Sequence, residues 1–514
     1  MIHEQAPPER PFTPYQPEGE VPSSMMDVMR NPDFLKLWLA QVTSQTAQQI
    51  VNFALVLQVA KITGSSTAVS GIILSFTIPA ILFAAIAGVF VERNSKKTML
   101  VLTNLARGIM VLAYFFIDPS WGAGVVLPIF YIVTFLFASV SQFFNPAEAS
   151  MIPLVVKRHE LVAANSIFNL TLSGTMLGGF VVLGPLLLKT ILHDNYAGLY
   201  LVIFALCLIA AGLTYLLPKD TASGPITAKL QSSNGSVAST TAEAASVARS
   251  GVKAAWTELL EGWAFIRRDS VIMSAILYWS IAIAVFMMLG TIGPGFLSKV
   301  LGIDSSELIY VLMPGGLGLI IGVILVGRIS TPGNRETMIN WSLLAAGAML
   351  LIFAVVEPVL RLGFNVANGA GLKNVGPGAG LMLGIMGFFT LLLGLFNSFI
   401  SVPAQTALQE RTGEDMRARV FSAFYTVCNA AIVLPVPIAA GLADSWGYVP
   451  TVASIGLLVM LIAMFGLYRS RSRRGKTTPL LQGNVTAEGV EAALTIASPA
   501  PRPMPAQAEQ EKHG

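Results

Sequence analysis

The sequence predicts an all-α protein embedded in a membrane, and three observations support this fold class. Of the 514 residues, 54% are apolar and 12% are charged, which is about half the charged fraction of an average soluble domain. Uncharged segments long enough to cross a bilayer, which takes about 20 apolar residues, recur along the chain. The basic residues gather on one side of these segments. Disorder and most water-soluble folds are therefore excluded.

Apolar segments, divided at charges or at clusters of Gly and Pro, predict twelve transmembrane helices. An even number of spans places both termini on the same side of the membrane. With loops assigned alternately, all but five of the 32 basic residues lie on that side, which is therefore predicted to be the cytoplasm. The five exceptions are Lys61, Lys189, Lys299, Arg361 and Lys373. The predicted spans are 37–60, 68–91, 98–117, 125–149, 161–188, 196–217, 270–298, 307–327, 337–356, 379–405, 418–443 and 447–468.

The spans fall into two groups of six, separated by polar segments of distinct composition. Prolines and polar residues at the start predict a disordered tail, and a stretch rich in Ser, Thr, Ala and Gly predicts a flexible linker. After the linker, apolar residues at helical spacing predict a helix in the membrane interface. The predicted segments are a cytoplasmic tail over 1–30, a six-helix bundle over 31–218, a cytoplasmic linker over 219–252, an interfacial amphipathic helix over 253–268, a second bundle over 269–468 and a basic, then disordered, cytoplasmic tail over 469–514.

The two groups of six spans resemble each other in sequence. A set of four residues at the end of the second span recurs after the eighth, always displaced by 239 positions. A six-span unit repeated in the same orientation about an axis along the membrane normal is thereby predicted. The first set is Gly88, Lys96, Thr98 and Met99, and the second is Gly327, Arg335, Thr337 and Met338.

The first span carries a stripe of amides. Gln41, Gln45, Gln48 and Asn52 fall within roughly 60° of one another at about 100° of rotation per helical residue, and Gln49 flanks them. Polar side chains avoid hydrocarbon, so the stripe is expected to face a cavity or another helix. Hydrogen bonds between helices would explain it without a substrate. Four amides on one face favour the lining of a substrate pathway, because amides both donate and accept.

Two ionisable residues are candidates for a role inside the spans. Of the 28 acidic residues, 27 fall in tails, loops or span ends, which leaves Glu148 as the one placed inside a span, where burial would favour its protonated form. It is therefore a candidate for proton coupling, although a position at the cytoplasmic rim or a pairing with Arg158 explains it equally well. Arg107 lies two to three turns inside the third span. Neutralising Glu92 or Glu148 is its favoured role, with substrate contact as the alternative.

Several segments of the chain resemble the major facilitator superfamily of transporters. Within it, they are most similar to drug and siderophore exporters of the enterobactin-exporter and macrolide-efflux type. The resemblance covers about residues 31–470 and implies twelve transmembrane helices in two six-helix bundles, in the plasma membrane. The segments are LWLAQ at 37–41, GVFVERNSKK at 88–97, FFNPAEASMIP at 143–153, PAQTALQE at 403–410 and RARVFSAF at 417–424.

The loop after the second span is similar to the superfamily pattern G-x-x-x-D-R-x-x-R-K. Gly88, Glu92, Arg93, Lys96 and Lys97 carry the pattern here, with Glu92 in place of the aspartate. The resemblance implies that this loop, together with Arg107, braces the cytoplasmic face in one conformation. It also implies that Gln48 stands where many relatives have an acidic residue.

Enzymatic and nucleotide-driven functions are not predicted. The four histidines lie in tails or loops, and no nucleophile stands beside a base at a motif spacing. A phosphate-binding glycine loop followed by Lys and Ser or Thr is missing, and Cys207 and Cys428 lie in apolar segments. Neither a cofactor nor a metal site is expected. The net charge of +4 gives no reason to expect nucleic acid as a partner.

We therefore expect a secondary transporter, an antiporter that exports a small amphipathic compound by alternating access. The expected partners are a drug-like or siderophore-like small-molecule substrate, membrane lipids, and protons or another coupling ion. Two alternatives remain. One is an importer or flippase for a lipid-like substrate, and the other is a membrane receptor or scaffold without transport activity.

Overall fold

A computed structural model describes residues 25–92, 94–218, 257, 260–301, 309–331, 333–363, 378–412 and 414–474. Within these residues all regular secondary structure is helical, which confirms the predicted all-α class. The chain divides into one compact unit, Met1–Met464, and a second, Phe465–Gly514, whose described part is the end of one helix. The predicted linker over 219–252 lies outside the described residues.

The helices are numbered in chain order. Their bounds are α1 Met25–Met29, α2 Pro32–Thr63, α3 Ser66–Glu92, α4 Lys96–Phe115, α5 Ala123–Val155, α6 Leu161–Thr175, α7 Tyr196–Tyr215, α8 over 260–268, α9 Ser270–Gly295, α10 Ile309–Ile329, α11 Arg335–Gly363, α12 Gly378–Arg411, α13 Glu414–Val433, α14 Pro435–Trp446 and α15 Tyr448–Arg474. The residues after α6 form two π-helical segments, Met176–Leu183 and Leu187–Ile191, and a third π-helical segment, Phe296–Leu301, continues α9.

The part of the chain that the structure describes contains ten helices long and apolar enough to cross a membrane. This finding confirms a multi-pass, all-α membrane protein. Two of the predicted spans are not among the ten. One is α2, whose amide stripe makes it more polar than the others, and the second is the run over 161–191, in which π-helical segments interrupt the α-helix. The number twelve stays a prediction.

The π-helical run after α6 lies close against α2. A β-carbon on Gly179 would lie 2.7 Å from Cβ of Gln49, and one on Gly184 would lie 2.8 Å from Cδ1 of Phe53. Because glycine has no side chain, the two backbones can approach to this distance. The glycines of this segment therefore serve helix packing, and π-helical turns of this kind occur frequently at functional sites.

Helix α1 lies within the segment 1–30 that the sequence predicted to be a disordered tail. Its Val28 is fully buried in a cluster with Phe34 and Leu37 of α2. Asn31 then caps α2, accepting a hydrogen bond from the backbone N–H of Asp33 at 3.0 Å, and its amide donates to the Val155 carbonyl oxygen at 2.7 Å. Residues 25–30 of the predicted tail are therefore anchored by one apolar side chain and one cap, and the rest of the predicted tail, 1–24, lies outside the described residues.

A pair of matching contacts supports the internal repeat. Lys61, at the end of α2, places its ammonium 5.7 Å from the centroid of the Tyr196 ring at the start of α7. Lys299, in the π-helical segment after α9, repeats this contact with Tyr448 at the start of α15, also at 5.7 Å. The two lysines are displaced by 238 positions, close to the 239 positions that separate Gly88 from Gly327. The contacts are cation–π interactions at equivalent positions of the two halves.

Helices α10 and α12 cross with their backbones in contact. A β-carbon on Gly318 would overlap the carbonyl oxygen of Leu391, and one on Gly394 would overlap the carbonyl oxygen of Gly315. Ser398 of α12 donates to a backbone carbonyl of α10 at 2.8 Å. Small residues permit this approach in membrane helices, where dispersion contacts and hydrogen bonds hold helices together.

The crossing predicts which glycine tolerates a methyl group. We expect Gly318→Ala to destabilise the protein by about 1–3 kcal/mol, because the methyl group has to push α10 away from α12. Gly327→Ala is the matched control in the same helix, since a β-carbon there meets nothing within 4 Å. The midpoint of thermal unfolding in detergent measures the effect, and equal midpoints for the two variants would contradict the proposed close crossing.

Candidate functional site

Two amides of the α2 stripe are buried and bind neighbouring helices. Gln41 is fully buried, and its Nε2 donates to the Phe168 carbonyl oxygen of α6 at 3.3 Å, while its Oε1 has no hydrogen-bond partner. Gln45 is 6% exposed and donates to Oδ1 of Asn145 in α5 at 3.2 Å. These two residues make the interhelical contacts that the sequence allowed as an alternative to substrate contact.

The other three amides keep accessible surface. Gln48, Gln49 and Asn52 are all partly exposed. Asn52 Nδ2 donates to Oε1 of Gln49 at 3.3 Å, and Oδ1 of Asn52 is buried without a partner. The stripe thus consists of a dry end at Gln41 and Gln45 and a more accessible end one to two turns further along α2.

Arg107 of α4 is fully buried, and all of its hydrogen-bond partners are neutral groups. Nη1 donates to Oγ of Ser44 at 2.9 Å, and Nη2 donates to the Ser44 carbonyl oxygen at 3.2 Å and to Oε1 of Gln48 at 3.1 Å. The rings of Phe137 and Phe144 lie 5.1 and 5.4 Å from the guanidinium carbon. Hydrogen bonds to α2 and the faces of two aromatic rings of α5 therefore replace the hydration of the cation.

Glu148 of α5 is also buried, with 4% of its surface exposed. Its Oε1 has no hydrogen-bond partner, and neither has Nε of Arg107. The two charges interact electrostatically, yet both terminal nitrogens of Arg107 bond to Ser44 and Gln48. The structure thus brings together the two ionisable candidates, Glu148 and Arg107, as a buried pair without a direct hydrogen bond. The side chain of Arg158 lies outside the described residues.

Three uncharged residues of this network were not predicted from the sequence. Ser44 donates to Oδ1 of Asn104 at 2.8 Å and accepts from Arg107, and Asn145 accepts from Gln45. Helical spacing held a signal for two of them. Ser44 lies three residues after Gln41, on the stripe itself, and Asn104 lies three residues before Arg107.

The loop that resembles the superfamily pattern joins α3 to α4. Lys97 donates from Nζ to the Leu217 carbonyl oxygen at 2.6 Å and lies 5.2 Å from the ring centroid of Tyr215. Lys97 therefore fastens the loop to the end of α7, within the first half of the chain. Gly88 has open space where a β-carbon would stand. Arg93 and the side chain of Glu92 lie outside the described residues, and the bracing role of this loop stays a prediction.

The second half contains ion pairs near its matching loop that the sequence reasoning missed. Arg335, the repeat partner of Lys96, binds both carboxylate oxygens of Glu410, at 2.5 and 2.9 Å. This bidentate hydrogen bonding holds the pKa of the Glu410 carboxyl below its usual range. Arg411 binds Oδ2 of Asp269 at 3.0 Å. Both pairs lie on the face of the protein that the sequence predicts to be cytoplasmic.

Metal ligands do not cluster in the part of the chain that the structure describes. Groups of three or more His, Cys, Asp or Glu side chains that could hold an ion do not occur among the described residues. Cys207 and Cys428 are buried and unpaired. The chemistry available at the buried site therefore comes from one carboxylate, one guanidinium, and amide and hydroxyl groups.

The buried pair predicts a non-additive effect on stability. We expect Arg107→Met to destabilise by about 3–5 kcal/mol and Glu148→Gln to destabilise as well, because each leaves one charge buried without its counter-charge. The double variant carries neither charge, so its loss is expected to be smaller than the sum by about 0.5–3 kcal/mol. Midpoints of thermal unfolding for the four proteins measure this coupling.

The exposed pair supplies the matched control. Arg335→Met and Glu410→Gln, alone and together, should couple more weakly than the buried pair, because the Glu410 side chain is 52% exposed and solvent screens its charge. Additive effects of Arg107→Met and Glu148→Gln would mean that the two buried charges do not sense each other.

Comparison with known proteins finds membrane transporters of similar sequence or similar fold. A relative in Bacillus subtilis (strain 168), the uncharacterized MFS-type transporter YfiS, is 21% identical over 467 residues, covering 90% of this chain and 99% of that protein. The solved structure of the nucleoside transporter NupG matches with a TM-score of 0.59 and 11% identity, over 85% of this chain and 98% of that chain. A POT family transporter in complex with a thioalcohol-conjugated peptide matches with a TM-score of 0.59 and 10% identity, over 85% and 96%.

At such identities the likeness to solved structures shows the fold alone. The family match is more specific, because it covers most of the chain. Residues 37–434 match the Major Facilitator Superfamily, and they include the stripe, Arg107 and Glu148. The chain therefore belongs to the Major Facilitator Superfamily of membrane transporters.

Proposed function

We propose that this protein exports a small amphipathic compound by alternating access, driven by protons that bind at Glu148. One observation carries the proposal: Glu148 is 4% exposed, and its Oε1 lies without a hydrogen-bond partner near the charge of Arg107. A carboxylate in a direct salt bridge would be fixed in its charged form. Here the two terminal nitrogens of the guanidinium bind Ser44 and Gln48, so Oε1 of the carboxylate is free to accept a proton.

Protonation of Glu148 changes the net charge of the buried pair from zero to plus one. A net charge inside a membrane protein is unfavourable unless it gains water or a partner. The protonated and deprotonated states therefore favour different exposures of the site, and a proton shifts the balance between two conformations. This is how the exchange of one proton can be linked to the movement of substrate across the membrane.

The two halves differ in polarity at equivalent positions, which supports an amphipathic substrate. Helix α9 packs against α2 and α3. Its residues displaced by 238 from the four glutamines are large and apolar, and Gly290 stands opposite Asn52 in the repeat. Amides on one side match a polar group of the substrate, and aromatic and thioether side chains on the other match an apolar body. The four large apolar residues of α9 are all partly exposed. They are Trp279, Ile283, Phe286 and Met287, which correspond in the repeat to Gln41, Gln45, Gln48 and Gln49, respectively.

The direction of transport and the membrane are part of the proposal. The excess of basic residues on the side of the termini supports cytoplasmic termini, and the plasma membrane is proposed from the resemblance to exporters. The resemblance to drug and siderophore exporters supports export, with a macrolide as the first substrate to try. Further candidate substrates would come from a growth screen, in which the protein protects a host without its own efflux pumps against a range of toxic compounds.

Glu148→Gln tests proton coupling, because glutamine resembles the protonated carboxyl but cannot release a proton. In inside-out vesicles with an imposed pH gradient, we expect accumulation of a radiolabelled macrolide to fall to background. Exchange of labelled for unlabelled macrolide should continue, because exchange moves no net proton. Glu160→Gln is the control, since this carboxylate lies beyond α5 and accepts only a loop hydrogen bond from the Lys157 N–H. Accumulation by Glu148→Gln at the rate of the unmodified protein would exclude Glu148 as the coupling site.

Gln49→Leu tests contact between the stripe and the substrate. We expect the KM for the macrolide to rise about three- to ten-fold with the maximal rate preserved, because one hydrogen bond to the substrate is lost. Gln142→Leu is the matched control in α5, as its amide donates only to a carbonyl of its own helix, 3.3 Å away. Equal KM values for Gln49→Leu and Gln142→Leu would remove the stripe from the substrate pathway.

A further inference from the structure

The turn between α2 and α3 belongs to the first half of the chain, yet residues of the second half surround it. Gly64 ends α2 in the left-handed conformation, with φ of 60°, and its N–H donates to the Ala60 carbonyl oxygen at 2.8 Å. Ser65 follows, and its Oγ accepts from the Ala68 N–H at 3.3 Å, so that α3 begins at once. The turn over 64–67 therefore presents the end of one helix and the start of the next at a single point.

Asp444, near the end of α14, caps α3 from the other half. Its Oδ1 accepts from the backbone N–H of Ser66 at 3.0 Å, and its Oδ2 accepts from the backbone N–H of Thr67 at 2.9 Å. Ser65 Oγ also donates to Oδ2 at 2.7 Å. A carboxylate at a helix N-terminus satisfies free N–H groups and is attracted by the helix dipole. All three bonds have this charged carboxylate as acceptor, and they join residues almost 380 positions apart.

Tyr448 and Lys299 complete the contact from the second half. The Tyr448 hydroxyl lies 3.2 Å from Oγ of Ser66 and 3.3 Å from Oδ1 of Asp444. Lys299 places its ammonium over the Tyr448 ring at 5.7 Å, and its Cε would lie 3.8 Å from a β-carbon on Gly64. Its positive charge is therefore near the negative end of α2, just as Asp444 is near the positive end of α3.

We propose that this contact, the turn clamp, holds the two halves together on the face opposite the termini and has to break for that face to open. The turn clamp consists of Asp444, Tyr448 and Lys299 of the second half and the turn over 64–67. On the opposite face, Arg335 binds Glu410 within the second half. The inference rests on the alternating access proposed above, and it names the residues whose separation opens the external side.

Asp444→Ala is the variant that tests the turn clamp. Spin labels at Ser120→Cys in the first half and Tyr310→Cys in the second, in a background with Cys207→Ser and Cys428→Ser, report the separation of the two halves by pulsed electron resonance. Both labelled positions are exposed and lie outside the clamp. We expect the ratio of separated to closed molecules to rise about ten-fold, because Asp444 makes charged hydrogen bonds but is partly screened by solvent.

Three further variants make the result specific. Ser65→Ala removes one hydrogen bond from the turn and leaves the carboxylate in place, so a smaller rise in the same direction is expected. Asp444→Asn keeps an acceptor oxygen but removes the charge, and should fall between Asp444→Ala and the unmodified residue. Asp194→Asn is the matched control on the same face, because Asp194 pairs with Lys189, 3.8 Å away, within the first half; it should leave the distances unchanged.

The distances are measured without substrate and at one fixed pH, so the protonation of Glu148 is the same in every variant that is compared. Unchanged distances in both Asp444→Ala and Ser65→Ala, with folding verified by thermal unfolding, would overturn the turn clamp while leaving proton-coupled export intact. An equal rise in Asp194→Asn would also overturn it, because the effect would then follow from any loss of charge on that face. A rise in the Asp444 and Ser65 variants alone supports the clamp even if the macrolide is not transported.

Discussion

A guanidinium ion inside a membrane protein persists only where its surroundings replace the water it has lost, and Arg107 places this demand on the first half of the chain. Ser44 and Gln48 of α2 supply oxygen atoms, while Phe137 and Phe144 of α5 supply ring faces. A shift of α2 along α4 by one turn would remove these oxygens together. The buried cation therefore fixes the axial register of the helices that carry the amide stripe and Glu148.

The fold was largely predictable, because exclusion of charge from hydrocarbon leaves long apolar segments in any sequence that spans a membrane. The exceptions have physical causes. Helix α2 is less apolar because its amides bind other helices and not lipid, and the run over 161–191 contains π-helical segments, in one of which Gly179 lies against Gln49. A contact of this kind depends on tertiary packing, which no local sequence pattern indicates. The anchoring of Val28 was likewise hidden in a segment of unfavourable composition.

The site was predictable only to the level of a helix face. Helical periodicity placed Gln41 and Gln45 on one side of α2, but it could not tell that Gln41 binds the Phe168 carbonyl oxygen of α6 and not a substrate. The hydrogen-bond partner of such a side chain depends on how the helices pack against each other. Asp444 shows the same limit more strongly: in sequence it is one more acidic residue at the end of a span, while its partners in the turn over 64–67 come from the opposite half.

The crossing of α10 and α12 has a mechanical consequence. Where Gly318 and Gly394 bring backbone against backbone, no side chain between the helices can change its rotamer to accommodate sliding. Helices α10 and α12 therefore move as one rigid unit across the bilayer. When the surrounding lipid becomes thicker or thinner, a lone helix can tilt to match, but these two have to tilt together and carry their neighbours with them.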